Sequence, residues 1–227
     1  MPEKDLHAGH RKRLKARFRA DGLDGFEPHN MLELLLFYAV PRVDTNETAH
    51  RLIARFGSFS EVLDAPYEEL LRVPGITENA ATLLKLVPQL SRVYLEGRRP
   101  VGEALDTPRV LGAYFCERFV GRTRECVFLL CLDSSLGAIA CEMLCEGSAI
   151  AANLDTKRIV ERALRHNAAR VVLAHNHPRG LASPSNEDIL VTSRLKKALA
   201  LLELELVDHI IVAGNEYYSV MEHYPDL

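Results

Sequence analysis

A disulfide framework is the first thing this 227-residue chain shows no sign of: its five cysteines (Cys116, Cys126, Cys131, Cys141 and Cys145) are odd in number, include no CxxC pair and fall mostly in apolar runs. They read as reduced, buried thiols of a cytoplasmic protein. Long apolar runs are missing too. The longest, Met31 to Val40, contains Glu33 and is too short to cross a bilayer, and the N-terminus is charged rather than apolar, so neither a membrane span nor export is expected. Charge of one sign is also scarce, with a formal net charge of −3. The molecule as a whole is no polycation, and any nucleic-acid contact has to be local; the one basic concentration is Lys4, Arg11, Lys12, Arg13, Lys15, Arg17 and Arg19. Neither a G-x-G-x-x-G nor a P-loop occurs, which leaves a nucleotide-binding fold without support, and no internal repeat stands out.

What is present is enough apolar material, 48% of the residues, for two cores. From about Met31 to Glu96 the pattern is helical, with Leu32, Leu35, Leu36 and Ala39 on one stripe and Leu52, Ile53 and Phe56 on the next, punctuated by Gly57, Pro66, Pro74 and Gly75. Leu14 and Phe18 in the basic arm predict a further helix that docks one face. Residues 1–96 are therefore expected to form a small all-helical domain of short helices. Residues 97–106, around Gly97-Arg98-Arg99-Pro100-Val101-Gly102, read as a linker. Past it strands mix with helices: Thr107 to Arg118 helical, Glu125 to Leu132 and Leu136 to Leu144 extended, Asp155 to Asn167 helical, Arg170 to Ala174 extended, Ser185 to about Glu203 helical, then strands at Asp208 to Ala213 and Tyr217 to Val220. Asp133-Ser134-Ser135 joins two strands as a hairpin, so the sheet of the 107–227 domain is mixed and the fold class is α+β.

The chemistry gathers in Leu173-Ala174-His175-Asn176-His177-Pro178 and the following Ser185 and Asp188. Histidines at i and i+2 project from one face of an extended chain, so both imidazoles can reach one ion. Pro178 to Pro184 turns the chain through Gly180, and Ser185-Asn186-Glu187-Asp188 opens a helix with capping-box-like spacing, from which Asp188 can swing back as a third ligand. Two imidazoles and a carboxylate fill three corners of a tetrahedron and leave the fourth to water, the pattern of a catalytic zinc site holding one Zn²⁺ per chain. Zinc is preferred over iron or manganese on ligand softness and geometry.

The spacing H-x-H-x7-S-x2-D resembles the JAMM (JAB1/MPN/Mov34) metalloprotease motif, and with its surroundings the chain resembles the RadC family more closely still. The matching stretches are Glu125-Cys126-Val127-Phe128, Cys131-Leu132-Asp133, the Glu146-Gly147-Ser148 turn, His175-Asn176-His177-Pro178, Ser183-Pro184-Ser185-Asn186-Glu187-Asp188 and Asp208-His209, and the helical first half resembles the domain that precedes this one in the family. The resemblance implies a JAMM/MPN-like (cytidine-deaminase-like) domain, metal ligands His175, His177 and Asp188, a glutamate on an earlier strand that takes the proton of the attacking water, and Ser185 as a hydrogen-bond donor to the tetrahedral oxyanion. Glu125 is assigned as that glutamate, because it starts a strand at the sheet's edge; Glu142 is the reserve. One departure is Arg179, where the family usually has a small serine.

Each residue also has a plain structural reading. The two histidines can be strand-end groups bonded to backbone, Asp188 a first-turn carboxylate answering the helix dipole, Ser185 an N-cap, and Glu125 a solvated charge beside Arg122 and Arg124. Asp208-His209 is either hydrogen-bond support for a ligand or a core pair. Cys141 and Cys145 are assigned to one strand face as core. Asn176 is expected to tie down backbone, and His166 and Asn167 to close a helix.

Leu71 to Leu83 (LRVPGITENAATL) resembles a helix-hairpin-helix, which offers backbone N–H groups to a phosphate. Here Thr77 replaces the usual second glycine, Glu78 places a negative charge where a phosphate would sit, and Lys85 is the only nearby compensation. Three functions follow as expectations: a cytoplasmic zinc metallohydrolase acting on a peptide or isopeptide bond of a peptide or protein; a DNA-associated repair or recombination accessory factor whose metal domain is not primarily catalytic, with DNA contacted through the helical domain; and a metal-dependent phosphodiesterase or nuclease, disfavoured because such sites usually pair metals with several carboxylates. The sequence leaves oligomeric state open.

Overall fold

The computed structural model describes residues 3–100, 102, 104–147 and 155–227. The chain forms two compact units, Met1–Ser91 and Arg92–Leu227. Ser148 of the expected turn, and Val101 and Glu103 of the expected linker, lie outside the described residues.

The first unit is helical: α1 (Glu3–Asp21), α2 (Pro28–Ala39), α3 (Asn46–Phe56), α4 (Phe59–Asp64), α5 (Tyr67–Leu71) and the first part of α6 (Glu78–Gly97). Helix α2 starts with Pro28, whose missing N–H costs nothing in a first turn. It buries two faces rather than the single stripe expected. Leu32 and Leu36 join Leu52, Val62, Leu70 and Leu84 in the main core, while Leu34 and Phe37 pack with Leu14 and Phe26. Leu14 docks α1 as its spacing predicts, but Phe18 stays 41% exposed. Glu33, the charge inside the apolar run, is fully buried; His10 Nε2 lies 2.8 Å from Oε1 and Asn46 Nδ2 donates to Oε2 at 3.1 Å. The helices are not all short. α6 runs for 20 residues with Pro88 inside it, because buried Ala80, Ala81 and Leu84 hold it by tertiary packing where proline removes one ladder hydrogen bond.

The second unit is a five-stranded mixed sheet of order β2-β1-β3-β4-β5, from β1 (Cys126–Leu132), β2 (Ala138–Glu146), β3 (Arg170–Asn176), β4 (Glu205–Ala213) and β5 (Glu216–Ser219), with α7 (Pro108–Arg118), α8 (Thr156–Arg165), α9 (Asn186–Ala200) and the short α10 (Val220–His223) around it. Only β3 and β4 are parallel, and α9 provides their crossover. β1 and β2 form the expected hairpin, tied by Asp133, whose Oδ1 accepts from Ser135 N at 2.7 Å and Gly137 N at 2.9 Å. The central strands are covered on both faces and so show unbroken apolar runs rather than alternation. α7 lays Leu111 and Phe115 on Phe128, Leu130, Val172 and Ile210; Ile159 of α8 and Leu195 and Leu199 of α9 cover Val127, Leu129, Val171 and Leu173. α7 approaches closely because it carries Gly112: a Cβ there would lie 2.4 Å from the Tyr217 ring.

One expectation on this sheet is overturned. Cys141 and Cys145, four apart, should share a face, yet Cys141 packs on the α7 side and Cys145 on the α8/α9 side. A bulge between Val127 and Phe128 in the β1–β2 register inserts one residue and reverses the parity. All five thiols are free, and burial pushes those of Cys126 and Cys131 up to about 11.

Candidate metal centre

The site sits where three elements end. β3 continues past Ala174 through His175 and Asn176, so the first histidine is a strand residue, and His177 follows, its N–H bonded to Val212 O of β4 at 2.7 Å. Alternation does the sorting. His175 shares the face of Val171 and Leu173, towards α9, while Asn176 points the other way and ties the entry of β1: its Oδ1 accepts from Cys126 N at 2.8 Å and its Nδ2 donates to Arg122 O and Arg124 O at 3.2 and 3.1 Å. α9 opens with Ser185 as N-cap in a full capping box, Asp188 N donating to Ser185 Oγ at 3.2 Å and Ser185 N to Asp188 Oδ2 at 2.8 Å. That fixes the Asp188 carboxylate in the first turn, with Oδ1 3.4 Å from His175 Nε2. His175, His177 and Asp188 thus present ligand atoms within 4.8 Å of one another.

The hydrogen bonds determine which ring nitrogens carry protons. Thr192 Oγ1 donates to Asp188 O at 2.6 Å, and a hydroxyl has one proton, so towards His209 Nδ1, also at 2.6 Å, it accepts. His209 therefore carries its proton on Nδ1 and offers Nε2 as acceptor to His175 Nδ1 at 2.9 Å. His175 then has its lone pair on Nε2. His177 reaches the same state by another route, since its Nδ1 lies 2.9 Å from Leu181 O, which can only accept. Two acceptor nitrogens, His175 Nε2 and His177 Nε2, consequently face one another at 2.9 Å with no proton assigned to the space between them. Lone pairs so placed repel unless a cation sits between or beside them. Two imidazole nitrogens on one tetrahedral zinc, each at about 2.05 Å, lie about 3.3 Å apart. The donor set fits such an ion after a shift of a few tenths of an ångström.

Burial keeps the rings of His175 and His209 neutral. Burial lowers the His175 pKa to about 4 against the opposing pull of Asp188, and burial likewise lowers that of His209. Burial raises the Asp188 carboxyl, but His175 and the hydrogen bonds from Ser185 outweigh it and leave it below its ordinary value. Neutral imidazoles and an ionised carboxylate are the ligand forms of a metal site.

Glu125 lies one residue before β1. Val127 pairs with His175, so continuing the antiparallel register sets Glu125 opposite His177. Both line one open cleft of about 620 Å³ with Thr123, Pro178, Arg179 and Gly180. The Glu125 carboxylate has no hydrogen-bond partner among the described residues, whereas its backbone oxygen accepts from Gly147 N at 2.8 Å. Glu142 is placed otherwise: it pairs in register with Leu129, four residues along the strand or about 13 Å away, and its carboxylate is held by Arg162 and by His166, the latter at 2.6 Å. Ser185 Oγ is next to Asp188 and donates its proton to Oδ2 at 2.6 Å.

Sequence reasoning missed Thr192 altogether and left His209 undecided. Thr192 is four residues after Asp188, hence on the same helix face, which was a usable signal; His209 meets the site only because β4 pairs Leu173 with His209, which no local pattern reveals. Asp208 faces away, accepting from Ser219 Oγ at 2.6 Å and Met221 N at 3.1 Å to cap α10. His166 caps α8, and Asn167 follows in the left-handed region at φ 51°.

A mixed sheet between α7 on one face and α8 and α9 on the other, with His-x-His at the end of β3 and an aspartate on the first turn of α9, defines a JAB-type domain carrying a group that could hold a metal ion. The family model for the RadC-like JAB domain matches residues 105–224, and relatives extend over the whole chain: UPF0758 proteins of Fusobacterium nucleatum (31% identical, covering 98% of both chains) and Psychrobacter cryohalolentis (34%, covering 98% of this chain and 97% of the relative), and one of Xanthomonas campestris (39% over 79% and 80%). The chain belongs to the RadC family. Among the described residues no helix is long and apolar enough to cross a membrane.

Proposed function

We propose that the protein is a zinc-dependent metallohydrolase that cleaves an amide bond, of peptide or isopeptide type. The observation that carries this reading is the pair of Nε2 acceptors 2.9 Å apart beside Asp188, with a Glu125 carboxylate on the same cleft that has no hydrogen-bond partner among the described residues. His175, His177 and Asp188 would hold the ion. When bound, it would supply a Lewis acid that lowers the pKa of water towards about 7 and polarises a carbonyl. Glu125 takes the proton of the attacking water and delivers it to the leaving amine. Ser185 turns its hydroxyl from Asp188 Oδ2 to the developing oxyanion, while Ser185 N keeps that carboxylate oxygen in place.

The two alternatives have less to work with. Among the described residues one grouping of three ligating side chains exists, fewer carboxylates than a two-metal phosphodiesterase needs. For DNA, Lys85 is spent inside the helical unit, donating to Leu63 O at 2.7 Å and Ala65 O at 3.0 Å, and Thr77 caps α6 directly before Glu78. Part of the basic arm is likewise engaged: Arg11 donates to Val40 O at 2.8 Å and Arg17 to Gly25 O at 2.5 Å.

The test is zinc-loaded protein against a panel of peptides and isopeptide-linked substrates. Glu125→Gln should keep one zinc and lose turnover by at least about a hundredfold; His175→Ala with His177→Ala should lose both. Full activity in zinc-loaded Glu125→Gln would remove Glu125 from the mechanism, and a wild-type protein that never takes up a metal would end the proposal.

A further inference from the structure

The cleft has a charged wall with no assigned use. His177-Pro178-Arg179-Gly180 forms a tight turn, Gly180 N donating to His177 O at 3.2 Å, and the chain is bolted again at the next residue, where His177 Nδ1 donates to Leu181 O at 2.9 Å. Proline fixes the second position of the turn, and Gly180 packs against the ligand itself, with a Cβ there falling 3.3 Å from His177 Cβ. Arg179 therefore stands on backbone rigidly attached to a metal-ligand histidine. It is exposed, lines the same cleft as Glu125 and His177, and makes no hydrogen bond or ion pair with any described residue. The other arginines near this end of the sheet are engaged: Arg122 lies over the Phe128 ring at 5.2 Å, and Arg124 is 4.0 Å from Glu146. A planar guanidinium with unspent donors, held beside a hydrolytic centre, matches a carboxylate in a two-point hydrogen bond.

We infer that Arg179 is a specificity-determining residue that anchors a substrate carboxylate close to the scissile bond, so that the substrate class is acidic peptides. The inference depends on the hydrolase reading of the same site. Standard bond lengths put the guanidinium about 6–7 Å from its Cα, and an extended peptide advances about 3.3 Å per residue. The carboxylate it meets belongs one or two residues from the cleaved bond, either as an Asp or Glu side chain or as a free chain end.

Binding of metal-directed probes tests this without turnover. Succinyl hydroxamates extended by aspartyl amide, asparaginyl amide, alanine free acid or alanine amide are titrated against zinc-loaded wild type, Arg179→Ala and Arg179→Lys, with zinc content and thermal melting confirming that each variant is folded and loaded. In wild type an acidic probe is expected to bind about tenfold or more tighter than its neutral partner. Arg179→Ala should abolish that preference and leave affinity for the neutral probes within about twofold, and Arg179→Lys should retain part of it. The aspartyl pair reads a side-chain carboxylate, the alanyl pair a chain end. Equal affinities for acidic and neutral probes, or a preference that survives in Arg179→Ala, overturn the assignment. A zinc-loaded protein that binds none of the four overturns the hydrolase reading instead, and the assignment falls with it.

Discussion

Thr192→Val tests the proton arrangement of the site at a residue that touches no ligand side chain. Valine matches threonine in shape and removes only the hydroxyl, which in a fully buried position donates to Asp188 O and accepts from His209 Nδ1, both at 2.6 Å. Without that acceptor nothing holds the His209 proton on Nδ1. If it stays, a buried N–H is unpaired, at a cost of about 1–3 kcal/mol. If it moves to Nε2, His209 becomes a donor towards His175 Nδ1, and the His175 proton is displaced to Nε2, where the ion needs the lone pair. Either outcome weakens metal binding. Groups that orient ligand histidines are worth about 10–100-fold in affinity; Thr192 acts through His209, so about tenfold is expected, equivalent to about 1.4 kcal/mol. Competition with a chromophoric chelator measures the affinity, and long-range proton–nitrogen correlation of the imidazoles reads the protonated nitrogen directly. Wild-type protein should show His175, His177 and His209 all protonated on Nδ1. A zinc affinity unchanged within about twofold in a folded Thr192→Val protein, or His209 protonated on Nε2 in the wild type, would refute the reasoning.

Two further outcomes follow from the same geometry. Because burial lowers the His175 pKa from 6.5 to about 4, the folded state holds the ring neutral while the unfolded chain binds a proton below 6.5, so metal-free protein keeps this stability above pH 6.5 and loses it as pH falls towards 4, by on the order of 3 kcal/mol, with His209 adding in the same direction. Urea unfolding at pH 7.5, 6 and 4.5 checks it, and a midpoint that stays flat across the series contradicts it. Gly112→Ala should destabilise the second unit by about 1–3 kcal/mol, because the added methyl meets the Tyr217 ring at 2.4 Å; a denaturation midpoint equal to wild type would mean α7 can lift off β5 without penalty.

How far the sequence revealed the molecule depended on whether the deciding interaction was local. The order of helices and strands, the Asp133 hairpin, the capping box at Ser185 and the turning of Asn176 to the face opposite the histidines are consequences of residues a few positions apart, and they are found where the spacing places them. Departures occur where the neighbour is distant. A bulge opposite Val127 split Cys141 from Cys145, packing carried α6 through Pro88, and α2 found a second apolar partner in α1. The same division runs through the site. His175, His177, Ser185 and Asp188 lie within fourteen residues of sequence, whereas the group that sets the protonation of His175 arrives from β4, 34 positions away.

The position of these polar groups explains how a strand so thoroughly buried can carry them. Along β3 the residues facing α9 are Val171, Leu173 and then His175, so the site is the continuation of the core into its own open end. There His209 and Thr192 replace apolar contacts with a chain of hydrogen bonds that terminates on a backbone carbonyl, leaving one lone pair on each of His175 and His177 without a proton partner. Pairing the lone pair of His175 by protonation is opposed by burial. An arrangement that satisfies its supports and withholds satisfaction from two converging acceptors lowers the stability of the empty fold and is relieved by a cation, which ties metal affinity and folding stability to the same few atoms.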